Sequence, residues 1–139
     1  MPLTLRQVVL DATDIRTLAE FYRELLDLTY RPGDETPAAG EPDPHGHDWL
    51  VLRGLDGGIQ LAFQLVDVLP EATWPDGPVP QQLHLDLTVG SVAELDAHHQ
   101  RALALGARLI LDRYDDPDEP LYVYADPAGH PFCIFVSQG

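Results

Sequence analysis

Apolar and polar residues alternate from Leu5 to Asp11, the two-residue period of a strand with one buried face. The period then changes. From Ile15 the apolar residues Leu18, Phe21, Tyr22, Leu25 and Leu26 recur at three- and four-residue steps, which predicts a helix with one buried stripe, and Asp14 stands where its N-cap belongs. Pro32 and Gly33 open a loop rich in proline, glycine and acid that runs through Glu41-Pro42-Asp43-Pro44-His45-Gly46-His47. Its composition predicts an unpacked, mobile segment. Trp49 to Arg53 and Ile59 to Val66 read as a hairpin across Gly54-Leu55-Asp56-Gly57-Gly58, residues that tolerate positive φ.

The same order of patterns then repeats. Gln82 to Leu87 alternates, Ser91 and Glu94 form a capping box, Val92, Leu95, His99, Ala102 and Leu103 supply the stripe, and Gly106 ends the helix. Arg108 to Arg113 and Leu121 to Ala125 read as strands flanking the acidic loop Asp115-Asp116-Pro117-Asp118-Glu119. A turn at Asp126-Pro127-Ala128-Gly129 leads to a last strand, Phe132 to Val136. The chain therefore reads as one domain, 1–139, built from α+β modules at about 1–66 and 82–139. A proline-rich linker, Asp67 to Gln81 with Trp74 in it, joins them. A unit this small cannot cover both faces of its own sheet, so the two modules are expected to pack together with any site between them.

Strand parity selects the candidate residues. In Leu83-His84-Leu85-Asp86-Leu87-Thr88 the leucines take the face toward the helix, which leaves His84, Asp86 and Thr88 on the other. Gln60, Ala62 and Gln64 likewise oppose Leu61, Phe63 and Leu65, Gln7 opposes Val8 and Leu10, and Cys133 opposes Phe132 and Ile134. Gln7, Gln60, Gln64, His84, Asp86 and Cys133 are thus the expected ligand-binding set, with His84 the catalytic candidate. Trp49, Trp74, Tyr122 and Tyr124 are candidate aromatic walls, although strand packing explains each equally well. His45, His47 and His98 read as surface histidines, and His99 as one near the buried stripe.

Composition narrows the chemistry. With 139 residues, 45% of them hydrophobic and 22% charged, the chain has the makeup of a folded globular domain. No apolar run approaches a membrane span, and the N-terminus lacks the layout of a signal peptide, so a cytoplasmic location is expected. The lone Cys133 rules out an intrachain disulfide. A net charge of -15 argues against nucleic acid and anionic membrane as partners, and favours a cationic ligand over an anionic one. All 8 basic residues are arginine, which excludes a lysine Schiff base, and no phosphate-cradling glycine motif occurs.

Asp14, Phe21-Tyr22, Trp74-Pro75, His84-Leu85-Asp86, Leu105-Gly106-Ala107 and Asp126-Pro127-Ala128-Gly129-His130-Pro131-Phe132, in this order and spacing, resemble the vicinal oxygen chelate superfamily. That group includes glyoxalase I, extradiol dioxygenases, fosfomycin-resistance enzymes and bleomycin-binding proteins, and the resemblance is nearer to its glyoxalase-like domains. It implies two βαβββ modules curving around a shared cavity. It also implies metal-ligand positions on the first and last strand of each module, which fall here on Gln7, Gln60, His84 and Cys133. Two of these are weakly coordinating amides and one is a thiol in an apolar strand, so no firmly bound metal is expected.

The expected function is binding of a small molecule between the modules, with a homodimer as the expected assembly. Two alternatives stand beside it. One is a divalent-metal-dependent lyase or dioxygenase, and the other is a metal-free enzyme in which His84 acts as general base beside Asp86.

Overall fold

The alternating segment forms β1 (Gln7–Ala12) and the apolar stripe behind it forms α1 (Ile15–Leu26). The computed structural model describes residues 2–58 and 60–137. Its contacts divide the chain into two units, Met1–Leu69 and Pro70–Gly139, so the proline-rich segment from Pro70 onward lies with the second. Each unit has the βαβββ order that the resemblance implies. No helix among the described residues is long and apolar enough to cross a membrane.

In the first unit Asp14 caps α1 by accepting from the Thr17 N–H at 3.1 Å, and the stripe from Ile15 to Leu25 is buried. Tyr22 stacks on Phe63, which fixes the face that the helix covers. The strands β2 (Thr29–Tyr30), β3 (Trp49–Arg53) and β4 (Gln60–Leu65) complete a sheet of order β1-β4-β3-β2. β1 runs parallel to β4 with Gln7 opposite Gln60, and β3 and β4 form the predicted hairpin. Its Ile59 lies outside the described residues, and the two-residue β2 gave no sequence signal.

The loop after β2 departs from its composition. Arg16 reaches from α1 and grips Asp43 through two bonds of 2.8 Å, while also donating to the Asp34 carbonyl at 2.7 Å. Asp34 itself is buried, pairs with Arg31 and accepts the Val51 N–H at 2.9 Å. A loop without apolar anchors is tethered here by ionic ones at Asp34 and Asp43, while most of its other residues stay exposed.

The second unit contains β5 (Leu85–Val89), α2 (Val92–Leu105), β6 (Arg108–Arg113), β7 (Leu121–Ala125) and β8 (Pro131–Val136), in sheet order β5-β8-β7-β6. Ser91 caps α2 as predicted by accepting from the Glu94 N–H, and Glu94 reaches back to the Ser91 hydroxyl and the Gly90 N–H, one residue before the cap. Gly106, at φ 120°, ends α2 in a conformation that favours glycine. The stripe is narrower than predicted. Leu95 and Ala102 are buried, but Val92 and Leu103 are exposed. At about 100° per residue these two stand about 60° and 80° round the helix from Leu95, on the rim of the contact.

Candidate functional site

Register sets which side chains of the second unit share a face. Asp86 pairs with Cys133, Cys133 with Val123 and Val123 with Leu111, so these four form one cross-strand row. Thr88, Phe135, Leu121 and Arg113 form the next row. The opposite face carries Leu85, Phe132 and Tyr124 in one row and Leu87, Ile134 and Tyr122 in another. It packs toward α2, where His99 stacks on Tyr122 at 3.9 Å and bonds the Tyr124 hydroxyl at 2.6 Å. Tyr122 and Tyr124 are therefore core residues of the helix side and line no cavity on the other.

A cavity of about 390 Å³ lies on the face of the two polar-bearing rows. Leu111, Leu121, Val123 and Phe135 make its apolar floor, and Trp74, Asp86, Cys133, Arg113 and Glu119 also line it. Trp74 is carried by a loop closed on itself, in which the Thr73 N–H donates to the Val79 carbonyl and the Val79 N–H to the Thr73 hydroxyl.

His84, Asp86 and Cys133 come together. His84 lies one residue before β5, with Nε2 3.2 Å from Asp86 Oδ1 and Nδ1 3.0 Å from Gln81 Oε1. Each ring nitrogen faces an oxygen, so the imidazole donates in both directions only when both nitrogens carry protons. The thiol of Cys133 bonds the Asp86 carboxylate, and burial, then the charge of Asp86, push the thiol up to about 11. One ligand atom from each of the three lies within 4.8 Å of the others.

The remaining predicted residues belong to the first unit. Gln7 and Gln60 are register partners, and the amide oxygen of each is buried without a partner among the described residues. Gln64 is exposed, four residues along β4 from Gln60 and opposite Asp11 and Trp49. His45 and His47 bound a single 3₁₀ turn and are exposed.

Arg113 and Glu119 were not legible as cavity residues. Uninterrupted alternation puts Leu109, Leu111 and Arg113 on one face, but a bulge between Leu109 and Leu111 reverses the parity. Leu109 therefore pairs with Tyr124 on the helix side, whereas Leu111 and Arg113 turn to the cavity. The register also places Asp86, not His84, directly opposite Cys133.

This duplicated arrangement has known counterparts. Residues 7–135 match the glyoxalase-like domain. The chain belongs to that family. Among solved structures this glyoxalase-like chain is similar to the fosfomycin resistance protein FosX from Listeria monocytogenes, at 16% identity and TM-score 0.67 over 99% of this chain and 96% of that one. It is similar at 18% identity and TM-score 0.65 to a glyoxalase/bleomycin resistance protein/dioxygenase family enzyme from Burkholderia phytofirmans PsJN, over 96% and 98% of the two chains. A third is a mutant of Listeria monocytogenes FosX complexed with Mn(II) and 1S,2S-dihydroxypropylphosphonic acid, at 16% identity and TM-score 0.68 over 99% and 93%. No curated protein matches. At these identities the likeness establishes the fold.

A divalent ion has donors to meet in this glyoxalase-like domain: an imidazole, a carboxylate and a sulfur. The set suits a borderline-soft ion such as zinc better than manganese, a hard ion that prefers oxygen. Binding must displace the proton that the thiol retains at neutral pH.

Proposed function

We propose that the chain binds a small molecule on the cavity face of the second unit, with Asp86 as the polar anchor and without requiring a firmly bound metal. The observation that carries this reading is the cavity of about 390 Å³, which has an apolar floor and holds Asp86 and Cys133 at its polar end. Such a combination of concave apolar area with few polar groups is the common makeup of a ligand site. The Asp86 carboxylate, engaged by His84 and Cys133, retains lone pairs for a ligand N–H or O–H.

The test is a ligand-observed NMR screen of chemically diverse small molecules against the parent and a Leu121→Trp variant that fills the cavity. Hits lost in the variant support the reading. A folded parent without hits, or hits indifferent to the tryptophan, counts against it.

A second reading rests on the three ligand atoms within 4.8 Å: His84, Asp86 and Cys133 would hold a divalent ion, which when bound supplies Lewis-acid polarisation of substrate oxygens. Elemental analysis of purified protein separates the two. About one metal per chain, lost in Asp86→Asn and Cys133→Ser, favours the metal reading.

A general-base role for His84 has less support. Both of its nitrogens already face oxygens, so a neutral ring directs its lone pair at an acceptor rather than at a substrate proton.

A further inference from the structure

Charged groups line the cavity of the second unit from both edges of its sheet, with Glu119 of the β6–β7 loop on the side of Arg113, and Cys133 and hydrocarbon lie between. Asp86 stands on β5, and Arg113 stands on β6 at the far side of the sheet. We infer that this face takes an elongated ligand with a carboxylate at one end, a hydrogen-bond donor at the other and an apolar body between. The inference rests on the proposed small-molecule function and names the ligand class for that site.

Arg113 carries the argument. The bulge in β6 turns it away from the helix side and into the cavity row with Leu121 and Phe135. Its guanidinium makes no hydrogen bond or ion pair with any described residue, even though four acids follow it in the loop. Asp116 interacts with it electrostatically but is committed elsewhere, accepting the N–H groups of Asp118 and Glu119 at 2.9 and 3.0 Å. A guanidinium keeps its charge at any physiological pH and presents a planar fork of donors, the shape that pairs with a carboxylate through two parallel bonds.

The opposite end has the complementary chemistry. Asp86 accepts hydrogen bonds and supplies negative charge, so it selects a hydroxyl, amide N–H or ammonium. Between the ends, Leu111, Val123, Leu121 and Phe135 offer only hydrocarbon. Strands β5 and β6 are three spacings apart, about 14 Å between backbones. The two groups therefore reach the cavity from opposite edges of the sheet. The net charge of -15 alone favours a cation, but a purely cationic ligand would leave Arg113 facing like charge.

The test uses ω-(4-hydroxyphenyl)alkanoates with two to eight methylenes, their methyl esters and the matching ω-(4-hydroxyphenyl)alkylamines. Binding to the intact chain is followed by NMR at the Arg113 Nε–H and the Trp74 indole. The expected result is that the acids bind at least tenfold more tightly than their esters, with an optimum at intermediate length. Arg113→Gln should erase that difference, and Arg113→Lys should restore only part of it. Acids equal to esters, amines tighter than acids, or full discrimination in Arg113→Gln overturns the ligand class and leaves the small-molecule reading standing. No response at Trp74 to any compound overturns both.

Discussion

The thiol of Cys133 donates a hydrogen bond to the carboxylate of Asp86, its register partner on the adjacent parallel strand. A cysteine beside a carboxylate is the reverse of an activated nucleophile. Burial and then the Asp86 charge disfavour the thiolate and push the group to about 11, well above an ordinary cysteine. The half-buried Cys133 therefore behaves at neutral pH as a hydrogen-bond donor that fixes the carboxylate.

This predicts slow alkylation. At pH 7.5 iodoacetamide should modify Cys133 far more slowly in the folded chain than in the unfolded chain. Asp86→Asn, which removes the charge but keeps the shape, should lower the thiol's pKa and speed the folded-state reaction severalfold. Desolvation, the larger cause, persists in that variant, so the rate should stay below that of the unfolded chain. A rate unchanged by Asp86→Asn, read by mass spectrometry, would show that the carboxylate does not govern the thiol.

The same group makes a signed contribution to stability. Its folded-state value is raised to about 11 from 9.0, so the folded chain holds the proton more tightly than the unfolded one. That contribution is complete below pH 9 and is lost as the pH rises toward 11. Denaturation midpoints of the parent should therefore fall more steeply across this window than those of Cys133→Ala. Parallel curves would contradict the assignment.

Residue periodicity made the two-module order legible, because each strand and helix buries one face of its own. Asp14, Ser91, Glu94 and Gly106 act where they were expected to. What stayed hidden depends on partners distant in sequence. Nothing near Asp43 announces Arg16, 27 residues earlier, and nothing in Arg108 to Arg113 announces the bulge that re-aims Arg113. The site residues were legible as a face, and His84, Asp86 and Cys133 do gather in the second unit. Their pairing was not, because only the strand register shows that Asp86 stands opposite the thiol.

Arg16 should be the main tether of the loop between β2 and β3. Arg16→Ala removes both bonds to Asp43, the bond to the Asp34 carbonyl and the stacking over Tyr30, 5.0 Å from the ring centre. A loss of about 2 kcal/mol is expected for charge-assisted bonds in a half-buried setting. Limited proteolysis should show new cleavage between residues 35 and 47, with the strands intact. Arg16→Lys keeps the charge but not the two-pronged grip, so it should fall between the two. Unaltered cleavage in Arg16→Ala would show that the loop is held by other means.

Gln7 and Gln60 make the opposite kind of prediction. Their amide oxygens are buried next to one another in register, and neither has a partner among the described residues. Burying an acceptor without a donor is unfavourable, so these side chains are not there for the stability of the bare chain. Methionine has similar length and volume and no such acceptor. Gln7→Met and Gln60→Met should each therefore stabilise the chain against denaturation, by about 1 kcal/mol. Two adjacent acceptors left open are what a ligand N–H, an ammonium or an ordered water would complete. Destabilisation by methionine, read by denaturant titration, would make the two amides structural.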